Sequence, residues 1–124
     1  MINIDYSDRR PIYEQLVEKI KDLILLGVFE ADMQMPSVRA LAAELSINPN
    51  TIQRAYAELE RDGVIYCVKG RGNFVAPVNN LINKHKDKIK KQLGEVIIEA
   101  KKADIAYEEF EELVKTMYSQ ETED

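Results

Sequence analysis

Apolar residues in the first part of the chain recur at three- and four-residue spacings. Ile12, Leu16, Ile20, Leu23 and Ile24 fall on one face of an amphipathic helix of about four turns. Pro11 stands where a first-turn proline belongs, and Gly27 offers a left-handed stop. Pro36-Ser37 opens a second helical pattern with Val38, Leu41, Ala42 and Leu45 inward. A third begins at Asn48, the N-cap, with Pro49 as its first helical residue. Ile47 and Ile52 have the spacing of a hydrophobic staple around that cap. Ala55, Tyr56 and Leu59 continue the inward face to Gly63, a natural residue just past a helix end. The pattern then changes: Val64-Ile65-Tyr66-Cys67-Val68, the turn Lys69-Gly70-Arg71-Gly72, and Asn73-Phe74-Val75 predict a β-hairpin. In that hairpin Cys67 is expected to be a buried or half-buried small hydrophobe.

After Ala76-Pro77-Val78-Asn79-Asn80 the composition shifts to nearly unbroken helix formers. Ile82, Ile89, Leu93, Val96, Ile97 and Ala100 form one stripe; Ala106, Phe110, Leu113, Val114, Met117 and Tyr118 form another. Glu108, Glu109, Glu111 and Glu112 lie opposite the second stripe, and Asp104 is expected to cap its helix. Two antiparallel helices cannot enclose their own apolar stripes. A second copy is the simplest cover, so Ile89, Leu93, Ile97, Phe110, Leu113, Val114 and Met117 are the candidate dimer contacts. Folding of this pair onto its own N-terminal core is the alternative.

The predicted architecture is α+β and mostly α. Residues 1–78 form a winged helix-turn-helix and residues 79–124 a two-helix antiparallel dimerisation segment. In such a motif the second helix of the pair enters the major groove and its leading residues reach base edges. Asn50, Thr51, Gln53 and Arg54 occupy those positions, opposite the apolar set. Asn and Gln pair bidentately with adenine, and Arg with guanine or phosphate. Arg54 is also placed to pair with Glu58 on the same helix face.

Charge sharpens this picture. The 124 residues carry 17 Lys plus Arg against 22 Asp plus Glu, a net −5. That balance opposes indiscriminate binding to polyanions. Between Pro49 and Val75, however, Arg54, Arg61, Lys69 and Arg71 outnumber Glu58, Glu60 and Asp62. The run Lys84, Lys86, Lys88, Lys90 and Lys91 fits a phosphate-touching stripe or a solvated helix face, and the interrupting Asp87 favours the latter.

Catalysis is not expected. No Ser/His/Asp or Cys/His arrangement can be built, and the stretch from Gly70 to Phe74 lacks the Gly-Lys-Ser/Thr of a nucleotide loop. His85 is the only histidine and has no cluster at ligand spacing, so neither a metal nor another cofactor is expected. The single cysteine fits a reducing compartment, and no apolar stretch approaches the roughly 20 residues of a membrane span. A cytoplasmic protein is the expectation.

The run PSVRALAAELSINPNTIQRAYAELERDGVIYCVKGRGNFV resembles the winged-helix DNA-binding domain of the GntR family of bacterial transcriptional regulators. The similarity covers roughly residues 9–76, and the short C-terminal part is similar to the YtrA subfamily, which carries a short helical dimerisation segment there. The resemblance implies a repressor that binds a palindromic operator in double-stranded DNA as a homodimer. It assigns DNA contacts to Ser37 and Arg39 at the start of the second helix, and to Asn48, Asn50, Thr51 and Gln53 on the recognition helix. Lys69, Gly70 and Arg71 fall on the wing tip, which probes the minor groove. Pro49 and Gln53 stand where many members carry arginine, which shifts base preference. The C-terminal segment is scant for enclosing a ligand, so any small-molecule effector would bind in a small pocket or at the dimer interface. A winged helix serving only as a protein-interaction adaptor is the alternative reading.

Overall fold

The computed structural model describes residues 2–120. Its elements are α1 (Ile12–Leu25), α2 (Val38–Leu45), α3 (Pro49–Arg61), β1 (Ile65–Val68), β2 (Gly72–Val75), α4 (Asn79–Lys102) and α5 (Tyr107–Ser119). They form two compact units, one reaching Asn83 and the other beginning at Lys84.

In the N-terminal unit the stripe on α1 meets the inward face of α3. Leu16 and Ile20 from α1, with Ile52, Ala55 and Leu59 from α3, are completely buried. Burying a leucine or isoleucine side chain contributes roughly 1.5–3 kcal/mol. Leu41 and Ala42 of α2 and Val64, Ile65 and Val75 of the hairpin complete the same core. Ile47 and Ile52 are both buried, as the staple requires. Val78 and Leu81 also pack on this core, which is why the unit extends into the first turns of α4.

Two features of this unit have no periodic signature. Gln15 is buried among apolar neighbours, and its amide is fully used: Nε2 donates to the carbonyls of Asp5 (3.0 Å) and Arg10 (3.2 Å), while Oε1 accepts from the Asp5 amide (3.0 Å). Those three hydrogen bonds hold the segment before α1 against the helix, with Ile2 and Ile4 packed on the core. The turn between α2 and α3 rests on Ser46, a non-glycine residue in the left-handed region (φ 55°).

The hairpin pairs β1 with β2 in antiparallel register, Ile65 opposite Val75 and Val68 opposite Gly72. A third, very short edge joins it: Gln34 bridges to Phe74, with Val75 N–H donating to Met33 (2.9 Å) and Met35 N–H to Asn73 (2.8 Å). The alternation along β1 predicts a covered Cys67, yet Cys67 is exposed. Only the base of the hairpin, Ile65 and Val75, reaches the core; beyond it the strands extend into solvent.

In the C-terminal unit the turn after α4 corrects the expected cap at Asp104. Asp104 adopts the left-handed conformation (φ 57°), and α5 begins after Ala106 without a side-chain cap. Asp104 N–H donates to Lys101 (3.1 Å) and Ile105 N–H to Ala100 (3.0 Å), the bonds that close a helix C-terminus. The residue therefore ends α4, and Ile105 is drawn back over the last turn. Val96, Ala100, Ile105, Phe110, Leu113, Val114 and Met117 line an open apolar cleft between α4 and α5. No residue of α5 is buried. None of these helices is long and apolar enough to cross a membrane.

Tyr56 supplies a direct test of the core. Its hydroxyl donates to the Pro36 carbonyl at 2.7 Å, and burial pushes its pKa up to about 12. Tyr56→Phe leaves that carbonyl unpaired and should cost about 1 kcal/mol in urea unfolding at pH 8. The folded-state pKa lies above the unfolded value of about 10, so the parent loses stability as pH rises from about 10 to 12. The deficit of the Phe variant should therefore shrink at pH 11, which a paired set of urea transitions checks.

Candidate nucleic-acid interface

The candidate surface is built on α2, α3 and the hairpin. Ser37 caps α2, its Oγ accepting from Ala40 N–H at 3.0 Å while keeping its own proton to donate. Asn48 caps α3, its Oδ1 accepting from Asn50 N–H at 2.8 Å. With the left-handed Ser46 between them, these caps fix where α3 starts relative to α2. Arg39 from α2 and Pro49 from α3 line one open groove together with Ala42, Ala43 and Ile47. The fold thus brings the Arg39 side chain beside the leading end of α3.

Along α3 the polar and apolar faces separate cleanly. Asn50, Gln53 and Arg54 are exposed and Thr51 is half-buried, whereas Ile52, Ala55, Tyr56 and Leu59 are buried. The side-chain amides of Asn50 and Gln53 thereby stand in solvent on a helix whose other face is fixed. Arg54 makes a contact that residue spacing does not anticipate. Its guanidinium lies over the Tyr13 ring, 3.7 Å from the centroid, and not against Glu58, which pairs with Arg61 at 3.9 Å. Such a cation–π contact contributes about 0.5–1 kcal/mol at an exposed site and ties α3 to α1.

The wing carries Lys69, Gly70 and Arg71 at its tip, all exposed. Gly70 (φ 82°) and Gly72 (φ 112°) take conformations that a Cβ disfavours, which lets the three-residue turn close with Arg71 N–H on the Val68 carbonyl at 2.9 Å. Tyr66 and Phe74 stack across the strands, ring centroids 5.7 Å apart. Two residues outside the hairpin hold it in place. Gln34 Nε2 donates to the Arg71 carbonyl at 2.8 Å, and Asp32 accepts from the Tyr66 hydroxyl at 2.8 Å. That bond to Asp32 is the main cause of the raised Tyr66 pKa. Gln34 and Asp32 escape a reading of periodicity because Met33-Gln34-Met35 alternates over three residues only, too few to register as a strand.

Among the described residues no group of His, Cys, Asp and Glu could hold a metal ion. The arrangement offers hydrogen-bonding amides, caps and cations on one rigid frame.

This frame is a winged helix-turn-helix, the fold of a sequence-reading transcriptional regulator. Residues 12–75 match the model of the bacterial regulatory proteins of the gntR family, and the chain belongs to that family. It is 39% identical to the HTH-type transcriptional repressor YtrA of Bacillus subtilis (strain 168) over 117 residues, 93% of this chain and 90% of that one. Among solved structures it resembles a transcriptional regulator from Oenococcus oeni, with a TM-score of 0.81 and 32% identity over 96% of this chain and 100% of that one. The structure of AraR(DBD) in complex with operator ORE1 matches with a TM-score of 0.53 and 29% identity, covering 61% of this chain and 93% of that one. Relatives and family are regulators, not enzymes.

Gln34 gives the interface its own test. Gln34→Ala should lower global stability by only about 0.5 kcal/mol, the low end for a hydrogen bond, because the side chain is exposed. Amide exchange at residues 69–73 should quicken while that of α3 stays as in the parent, as hydrogen-exchange mass spectrometry or NMR would record.

Proposed function

We propose that this chain is a homodimeric repressor that binds a palindromic operator, with α3 in the major groove and the wing tip in the minor groove. The observation that carries the reading is the two-sided character of α3. Its leading end presents Asn50 and Gln53 to solvent while Ile52, Ala55 and Tyr56 anchor the same turns in the core. A helix held this way keeps its polar edge at one position and angle, as base reading requires. The operator complex of a structural relative and the repressor name of another support the assignment.

In this reading Gln53 and Asn50 read bases, Ser37, Arg39 and Lys69 hold phosphates, and Arg71 reaches the minor groove. Asn48 caps the helix start, Thr51 adds a contact beside Asn50, and Gly70 supplies the turn that Arg71 needs. Arg54 contributes mainly by holding α3 on Tyr13.

The apolar surface of the C-terminal unit supports the dimer. Ile89, Leu93, Ile97, Leu113, Val114 and Met117 are exposed in one chain, with Phe110 half-buried beside them. Contiguous apolar area of this kind is the mark of an interaction face. A second copy of the same hairpin covers it and sets two reading heads at the spacing of two half-sites, about 34–36 Å or a multiple. Binding of that dimer across a promoter excludes polymerase.

Selection of bound duplexes from a random pool should recover a palindrome. On that duplex Arg39→Ala and Lys69→Ala should weaken binding to all sequences alike, each lowering the salt slope by about 0.9 for the phosphate it no longer neutralises, whereas Arg71→Ala should weaken binding most where the minor groove beside the half-site is A·T-rich. Gln53→Ala should instead relax preference at one position by roughly 1–3 kcal/mol. A recovered pool without symmetry would remove the palindrome, variants that bind as the parent does would remove the groove assignment, and failure to recover any duplex would favour a protein adaptor.

Sedimentation tests the dimer separately. Leu93→Glu combined with Leu113→Glu should convert a dimer to a monomer that keeps the helical signal of the N-terminal unit. A parent that sediments as a monomer at all concentrations overturns the assembly.

A further inference from the structure

The lysines of α4 segregate in a way that the linear run conceals. Lys84, Lys88 and Lys91 are spaced i, i+4, i+7 and lie on one face of a continuous helix. At 100° per residue the centre of that face lies about 140° around the helix from the stripe of Ile89, Leu93, Val96 and Ala100, with the exposed Ile98 beside Lys91. Lys86 and Lys90 border the apolar stripe instead. Beyond Lys91 the same face turns acidic at Glu95 and Glu99, so the basic stripe has a defined end. Asp87, which interrupts the run in sequence, falls to one side of it.

All of these lysines are exposed, and among the described residues none makes an ion pair. Several cations elsewhere are committed. Arg10 pairs with Asp8 and Glu18, Lys21 with Asp62, Arg61 with Glu58, and Arg54 covers Tyr13. Even Lys102 and Lys115 on the C-terminal helices have carboxylate partners, Glu99 at 3.4 Å and Glu111 at 3.7 Å. Within the N-terminal unit acids outnumber bases, and Arg39, Lys69 and Arg71 are the cations left on the reading surface. A protein with so few cations there gains little of the counterion-release free energy that supplies most affinity for a duplex.

We propose that Lys84, Lys88 and Lys91 form a second, sequence-independent DNA-binding surface that contacts the phosphate backbone of a duplex. The occupant is a polyanion of regular spacing. The stripe is about 10 Å long at 1.5 Å per residue, the axial length of roughly three base steps. Its position away from the apolar stripe means that covering the latter with a second copy leaves the lysines accessible. A solvated face with no partner is the competing account, and it predicts no effect of neutralising them.

This inference rests on the reading of the chain as a DNA-binding protein, and the experiment separates the two. Fluorescence anisotropy of the full-length protein would be measured on a selected duplex extended by flanking base pairs, from 50 to 200 mM salt. In Lys84→Gln/Lys88→Gln/Lys91→Gln the salt slope should fall by about 0.9 per lysine, roughly 2.7 per protomer, with affinity at 50 mM lowered at least tenfold. Sequence preference should be that of the parent. The matched control, Lys101→Gln/Lys102→Gln/Lys115→Gln, makes the same change in net charge and should bind nearly as the parent does. Circular dichroism and sedimentation confirm that both variants keep fold and assembly.

An unchanged slope in the first variant overturns the stripe while leaving α3 as the reader. An equal loss in the control overturns it too, since the effect then belongs to net charge. A parent that binds no duplex removes the DNA-binding reading and the stripe with it.

Discussion

The short connector from Asp32 to Ser37 constrains every part of the reading head. Its Asp32 carboxylate holds the Tyr66 hydroxyl, and its Gln34 amide holds the Arg71 carbonyl at the wing tip. Its Pro36 carbonyl accepts a hydrogen bond from the Tyr56 hydroxyl on the buried face of α3, and Ser37 caps α2. Wing, recognition helix and the helix before it are thus referred to one stretch of backbone. That stretch is itself fixed by ladder bonds to β2. Each polar bond contributes only about 0.5–1.5 kcal/mol to stability. Their larger effect is geometric, because each of the three elements is tied to this stretch by at least one hydrogen bond.

Such rigidity matches the chemistry of base reading, in which hydrogen bonds to base edges tolerate little misplacement. The apolar side of α3 supplies the free energy that anchors the helix, and its polar side is left free for the base contacts proposed above. The caps at Ser37 and Asn48 convert a loop of a few residues into a fixed angle between α2 and α3. The left-handed Ser46 completes that turn without a glycine, a strain that the buried Ile47 immediately after it offsets.

Charge follows a separate logic. An acidic chain avoids holding every polyanion it meets, since long-range attraction is weak. Affinity must then come from cations placed where phosphates pass. Pairing of Arg10, Lys21 and Arg61 with carboxylates withdraws them from that role. Among the described residues the cations without a carboxylate partner include Arg39 on α2 and Lys69 and Arg71 at the wing tip, the positions proposed to meet phosphate.

Much of the fold was legible in residue order, because helix periodicity, caps and turn residues are local properties. Pro11, Ser37, Asn48, Gly63 and the glycines of the wing mark boundaries that the structure keeps, and the buried faces of α1 and α3 follow from spacing alone. The polar edge of α3 was legible for the same reason. What depended on contacts between distant residues was not: the third edge at Gln34, the stacking of Arg54 on Tyr13, the burial of Gln15 and the exposure of Cys67. Asp104 shows the limit within a single turn. An aspartate between two helices suits the start of one and the end of the other, and closure of α4 by Ile105 folding back over it decided the matter. Local patterning determined which elements form and which sides they bury; only packing in three dimensions determined which polar groups meet, because those partners are set by where the core places the backbone and not by their distance along the chain.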